Sequence, residues 1–132
     1  MIGIVVITHG RVAEELVNAA RAIVGEIPAI VAVSMGWSDD VDAARAHVER
    51  AIQEVGGGDT LLLTDMFGGT PTNLSLPFLS PHIEIVTGVN LPMLIKLTGL
   101  REGSLAVVAR AVRDQGKDAI YTASDILEAK RS

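Results

Sequence analysis

The sequence predicts an α/β chain built on an open parallel sheet, and three observations carry that prediction. Short β-branched runs alternate with helix-period segments throughout the chain. Aliphatic residues dominate over aromatics, which make up only 3% of the 132 residues, as suits strands buried on both faces of a sheet. Glycines, prolines and Ser/Thr caps fall between the runs and punctuate them. Strands alternating with helices imply parallel pairing through right-handed crossovers. The expected architecture is four parallel strands in the order 2-1-3-4, a short C-terminal antiparallel strand, and helices on both faces. Residues 1–132 are expected to form one domain, with no repeat or linker.

Taken in order, Ile2 to Ile7 is short, β-branched and followed by a glycine turn, so it reads as a buried strand. Val12, Leu16, Ala20, Ile23 and Val24 then share one helical face, and Gly25 and Pro28 stop that helix. Ile30 to Ser34 is the second strand. The turn Met35-Gly36-Trp37 leads to a helix opened by Ser38, with Asp39 and Asp40 complementing the dipole of its first turn. Val41, Ala44, Val48, Ile52 and Val55 form its expected buried stripe, ended by Gly56-Gly57-Gly58. Thr60 to Thr64 is the third strand. Thr70 followed by Pro71 is the pattern of an N-cap with proline in the first helical position, and Pro77 should cut that helix after about two turns. Ile83 to Thr87 is the fourth strand, and Leu91-Pro92 opens a helix that Gly99 closes. Ser104 caps a fifth helix with Leu105, Val108, Ala109 and Val112 on one face, ending near Gly116. The last strand is expected at Ala119–Thr122, followed by a polar tail.

Composition removes several function classes. The formal net charge is −5 with no basic stripe, which gives nucleic acid no electrostatic purchase. There is no cysteine, so disulfides and thiol catalysis are excluded. The apolar N-terminal run breaks at Thr8-His9-Gly10, far short of the ~18 residues of a membrane span, and no leader-like pattern surrounds it. A cytoplasmic location without membrane insertion is the expectation.

In an open parallel sheet, ligands bind beyond the carboxyl ends of the strands where strand order reverses. The order 2-1-3-4 makes the first and third strands neighbours, about 5 Å apart, so His9 and Asp65 should end adjacent strands at the switch point. A carboxylate beside an imidazole fixes the ring's tautomer, leaves the other nitrogen as nucleophile, and stabilises the cation formed on attack. The run Gly68-Gly69-Thr70-Pro71 adds backbone that approaches an anion closely, helix-start N–H groups and a hydroxyl. Phosphoryl chemistry on His9 is therefore expected, with Asp65 as orienting acid and Gly68, Gly69 and Thr70 as phosphate cradle. The remaining features have plainer readings. His47 is a surface or boundary residue of the second helix, and His82 a structural residue at the opposite edge. Trp37 is read as half-buried packing ahead of partner docking, and Met93 and Leu94 as helix core. Three dispersed histidines and no cysteine make no metal site.

With these residues in hand, the chain resembles the IIA components of the mannose family of the bacterial sugar phosphotransferase system (PTS). The marks are Thr8-His9-Gly10 after the first strand, Asp65-Met66-Phe67-Gly68-Gly69-Thr70-Pro71-Thr72-Asn73 after the third, and Gly88-Val89-Asn90-Leu91-Pro92-Met93 after the fourth. The resemblance implies phosphorylation of His9 at its distal ring nitrogen, with Asp65 holding the other nitrogen and Thr70 contacting the phosphoryl group. It also implies HPr as donor, a IIB component as acceptor, and no metal or cofactor. A homodimer follows as well, with the strand at Ala119–Thr122 joining the neighbouring subunit's sheet. Phe67 stands where some members have tryptophan, and a free-standing IIA without a fused IIB domain is the expectation. Two other classes compete: the phosphotransfer subunit of dihydroxyacetone kinases, and a non-catalytic regulatory module of the same fold. The intact Asp-x-x-Gly-Gly-Thr-Pro run favours the sugar-system branch. The absence of an acidic cluster after the first strand disfavours a magnesium-dependent receiver, and no glycine-rich dinucleotide turn or Walker-type loop is present.

Overall fold

The computed structural model describes residues 1–36 and 40–131. Its sheet contains four strands, β1 (Gly3–His9), β2 (Ile30–Met35), β3 (Thr60–Thr64) and β4 (Ile83–Thr87). They are all parallel and ordered β2-β1-β3-β4. The expected order is therefore met, and the first strand extends two residues further than expected, to include His9. In the ladder His9 lies opposite Met35, Ile7 opposite Thr64, and Thr64 opposite Thr87.

The helices are α1 (Val12–Val24), α2 (Val41–Glu54), α3 (Thr70–Ser75), α4 (Leu91–Thr98), α5 (Leu105–Asp118) and α6 (Ala123–Arg131). Alternation along the strands builds two cores. Ile4, Val6, Leu61 and Leu63 pack with residues of α1, α4 and α5, while Val5, Ile7, Val33 and Leu62 pack with α2 and Leu74 of α3. Both faces are thus covered, which is why the strands read as continuous apolar runs.

Several local expectations shift. The inward residues of α1 are Ala13, Val17 and Ala20, whereas Val12, Ile23 and Val24 are exposed. Apolar residues occupy two adjacent faces of this helix, and the alanine-bearing face permits the closer approach to β1. Val41 is likewise exposed, although Ala44, Val48, Ile52 and Val55 are buried. Asp40 is the N-cap of α2 rather than a first-turn residue, its carboxylate accepting the Ala43 N–H at 3.0 Å; the expectations for Trp37, Ser38 and Asp39 lie outside the described residues. Ser104 caps α5 and Gly99 closes α4 as expected, and after Ser75 the chain tightens into a 3₁₀ turn at Leu76–Phe78 around Pro77.

The final strand expected at Ala119–Thr122 is not formed. Ala119 caps α5, donating its N–H to the Gln115 carbonyl, and the supposed polar tail is α6. A strand exists only through its ladder, and in this chain α5 and α6 claim both sides of the segment.

Arg101 fastens the opposite end of the sheet from His9. Its guanidinium donates from Nε to the Ile2 carbonyl at 2.7 Å, from Nη2 to Ala29 at 3.0 Å, and from Nη1 to Pro28. Burial lowers its pKa from the ordinary value, with Glu102 opposing that shift. The result is a charged staple joining the start of β1 to the α1–β2 turn.

Candidate functional site

Period-two alternation gives the last two residues of β1 separate duties. Thr8 faces α1, and its hydroxyl accepts the Ala13 N–H at 2.7 Å, so the strand caps the helix that follows it. His9 faces the other way. Gly10 then donates its N–H to the Met35 carbonyl at 2.8 Å, pinning the turn against β2.

Asp65, just beyond β3, meets His9 twice through one oxygen. Oδ2 accepts the His9 backbone N–H at 3.1 Å and lies 2.8 Å from ring Nδ1. The other oxygen, Oδ1, accepts the Met66 N–H at 3.1 Å. A carboxylate is an acceptor only, so Nδ1 carries the proton and Nε2 the basic lone pair. Both side chains are mostly shielded, at 25% and 21% exposure, which strengthens the pair relative to a solvated one.

The glycine pair adjoins this assembly in two ways. Gly68 has φ +88°, a left-handed conformation that glycine adopts freely and L side chains avoid. Gly69 has ordinary dihedrals, but a Cβ there would lie 2.6 Å from His9 Cε1 and 3.1 Å from Nε2. Its bare Cα is therefore the seat of the ring edge that bears Nε2. Gly69 is also the N-cap of α3. The expected Thr70 cap is displaced by one residue, and Thr70 is the first helical residue with its side chain exposed.

One contributor escaped the sequence reading. Buried Thr72 donates from its hydroxyl to the Met66 carbonyl at 2.7 Å and lies 2.7 Å from the Thr64 hydroxyl, from which it must then accept. This relay ties the end of β3 to α3 and closes the loop carrying Asp65. A threonine one residue beyond a Thr-Pro helix start was the available signal, but it also reads as ordinary helix composition. The third motif serves a neighbouring element: Asn90 caps α4, accepting the Met93 N–H at 3.1 Å and donating to the Gly116 carbonyl at 3.2 Å. His82 sits at the far edge against Asp59, 2.9 Å away, and His47 is exposed on α2. Among the described residues no group of three or more His, Cys, Asp or Glu gathers as a metal site, and no helix is long and apolar enough to cross a membrane.

A doubly wound sheet with an aspartate-oriented histidine at its switch point defines a class of α/β proteins suited to nucleophilic group transfer. The profile of the EIIA-man family, described as "PTS system fructose IIA component", matches residues 3–112. The chain belongs to that family. It is 33% identical over 109 residues to the mannose-specific EIIAB component of Escherichia coli (strain K12), covering 76% of this chain and 32% of that protein. The chain thus spans about a third of that longer relative's length. The fructose-specific EIIA component of Bacillus subtilis (strain 168) is 29% identical over 105 residues, covering 77% of this chain and 72% of its own. Among solved structures, the mannose/sorbose-specific IIA subunit from Enterococcus faecalis superposes with a TM-score of 0.85 at 30% identity, covering 92% and 93% of the two chains.

Proposed function

We propose that His9 is a phosphoryl carrier within the PTS, accepting a phosphoryl group at Nε2 from phosphorylated HPr and passing it to a IIB component. The observation that carries this reading is the 2.8 Å contact between His9 Nδ1 and Asp65 Oδ2, with Gly69 packed against the opposite ring edge.

In the forward step the Nε2 lone pair attacks phosphorus, the donor's N–P bond breaks, and its electron pair returns to the donor imidazole. Nδ1 keeps its proton, and the charge gathering on the His9 ring is met by Asp65. Gly68, Gly69 and Thr70, at the start of α3, supply backbone N–H groups and one hydroxyl for the phosphoryl oxygens. The step uses no metal or cofactor. The same reading includes a cytoplasmic homodimer in which Ala119–Thr122 pairs with a second subunit, a role compatible with the exposed Ile120 and Tyr121.

Incubation with phosphoenolpyruvate, enzyme I and HPr, followed by intact mass and acid treatment, tests the proposal. One acid-labile phosphoryl group is expected on the wild-type chain and none on His9→Ala, with the fold unchanged by circular dichroism. Full uptake by His9→Ala would end the case for His9.

A further inference from the structure

The chain has four methionines and no cysteine, so thioethers are its only sulfur. The fold sorts them by access. Met35 and Met93 are buried at 5% and 2% exposure, whereas Met1 is 61% exposed and Met66 55%. Met1 precedes the end of β1 remote from His9, where its ammonium pairs with Glu102 at 3.5 Å. Met66 lies in the loop that builds the histidine site. Its backbone is held on both sides, the N–H donating to Asp65 Oδ1 at 3.1 Å and the carbonyl accepting from the Thr72 hydroxyl at 2.7 Å. From that fixed backbone the side chain reaches toward Gly69. Met66 Cγ lies 3.6 Å from the point a Gly69 Cβ would occupy, and His9 Cε1 and Nε2 lie 2.6 Å and 3.1 Å from the same point. The thioether sulfur, one bond beyond Cγ, thus belongs to an exposed side chain that borders the ring edge bearing Nε2.

Accessible thioethers are oxidised to sulfoxides, which turns a flexible apolar side chain into a polar one. Resting on the carrier reading above, we infer that Met66 is a redox modification site whose sulfoxide slows the loading of His9. The oxidant is a peroxide. A sulfur lone pair takes one peroxide oxygen, the O–O bond breaks, and the other oxygen leaves as hydroxide, which collects the released proton as water. Sulfur loses two electrons and the peroxide gains two. The new oxygen carries partial negative charge and accepts hydrogen bonds. It stands where an anionic phosphoryl group must approach, and it competes for the helix-start N–H groups that the carrier reading assigns to that group. Reduction by thiol-dependent methionine sulfoxide reductases returns the thioether, so the block is reversible. Met35 and Met93 are protected inside the two cores, and Met1 is remote from the ring.

The test treats the full chain, as wild type and as Met66→Leu, with hydrogen peroxide, which catalase then removes. Peptide mass mapping locates the added oxygen. Uptake from phosphorylated HPr is timed in a single turnover, each protein being compared with its own untreated sample. Wild type is expected to gain oxygen at Met1 and Met66, with Met35 and Met93 intact. Its uptake rate should fall about three- to tenfold, as for one neutral hydrogen bond lost from the transition state. Incubation with sulfoxide reductases of both stereochemical classes should restore the rate. Met66→Leu should gain oxygen at Met1 and keep its untreated rate. An unoxidised Met66 beside an oxidised Met1 would overturn the site. A Met66 sulfoxide with unchanged uptake would overturn the block, as would an equal loss in oxidised Met66→Leu, which assigns the effect to another residue. If untreated wild type takes up no phosphate, the carrier reading fails separately. The His9 ring resonances in NMR then decide whether the sulfoxide acts on the ring: they must shift on oxidation of wild type, return on reduction, and stay fixed in Met66→Leu.

Discussion

Replacing Gly69 with alanine isolates one steric demand of the site. The residue has φ −89° and ψ 170°, an extended conformation that alanine adopts without strain, so the backbone gives no reason for a defect. The added methyl would lie 2.6 Å from His9 Cε1 and 3.1 Å from Nε2. Carbon–carbon contacts relax at about 3.5–4.0 Å, so the ring or the start of α3 must retreat by about 1 Å. A ring displaced by that distance carries the His9–Asp65 contact of 2.8 Å beyond normal hydrogen-bonding range. A charge-assisted hydrogen bond is worth about 1.5–3 kcal/mol, which corresponds to a loss of roughly 10- to 150-fold in transfer rate when the stabilisation is lost from the transition state. Single-turnover uptake from phosphorylated HPr, with the His9 Nδ1–H resonance followed in parallel, reads both the rate and its cause. Gly68→Ala is the control, because no atom lies within 4 Å of its Cβ position and only its φ of +88° is strained. It should cost about 1 kcal/mol of stability with little displacement of the ring. Unchanged uptake and an unchanged ring signal in Gly69→Ala would refute the seat.

Asp65→Asn keeps the shape of the pair but removes the acceptor charge, and should slow transfer by about 100-fold or more while partner affinity, by titration calorimetry, stays near wild type. Thr72→Val leaves the Thr64 hydroxyl and the Met66 carbonyl without their shared partner. It should lower stability by about 1–3 kcal/mol in urea unfolding and slow uptake as well. Arg101→Met strips hydrogen bonds from the carbonyls of Ile2, Pro28 and Ala29; a loss of about 2–4 kcal/mol, with uptake unchanged below the melting transition, would mark it as a fastening remote from His9.

What the sequence disclosed, it disclosed through signals that are local or topological. The ends of β1 and β3 are marked by their own residues, and the rule that ligands gather where strand order reverses then places His9 beside Asp65. Helix faces were less legible where apolar residues ran around the cylinder, as in α1, because packing against β1 selects Ala13 and Val17 over Val12 and Ile23. The α3 start was misplaced by one residue because Gly69 and Thr70 both suit a cap, and the ring contact of Gly69 settles the phase. Thr72 gave only a signal shared with ordinary helix composition and Arg101 gave none, since it acts through residues brought near by the fold, across 99 positions to Ile2. Ile120 and Tyr121 have strand-like composition, but composition does not create the neighbour that a strand needs.

His9 occupies the last rung of a central strand, with buried Ile7 and Thr8 immediately before it and Met35 opposite. As the acceptor proposed above, it would be an anvil rather than an arm. On that reading the strand bearing the ring needs no ordering when cargo arrives and no release when it leaves, because His9 is the last residue of β1. Two unlike visitors that present a transferable group along the same line would then meet the same target, and loading and unloading would proceed through one geometry.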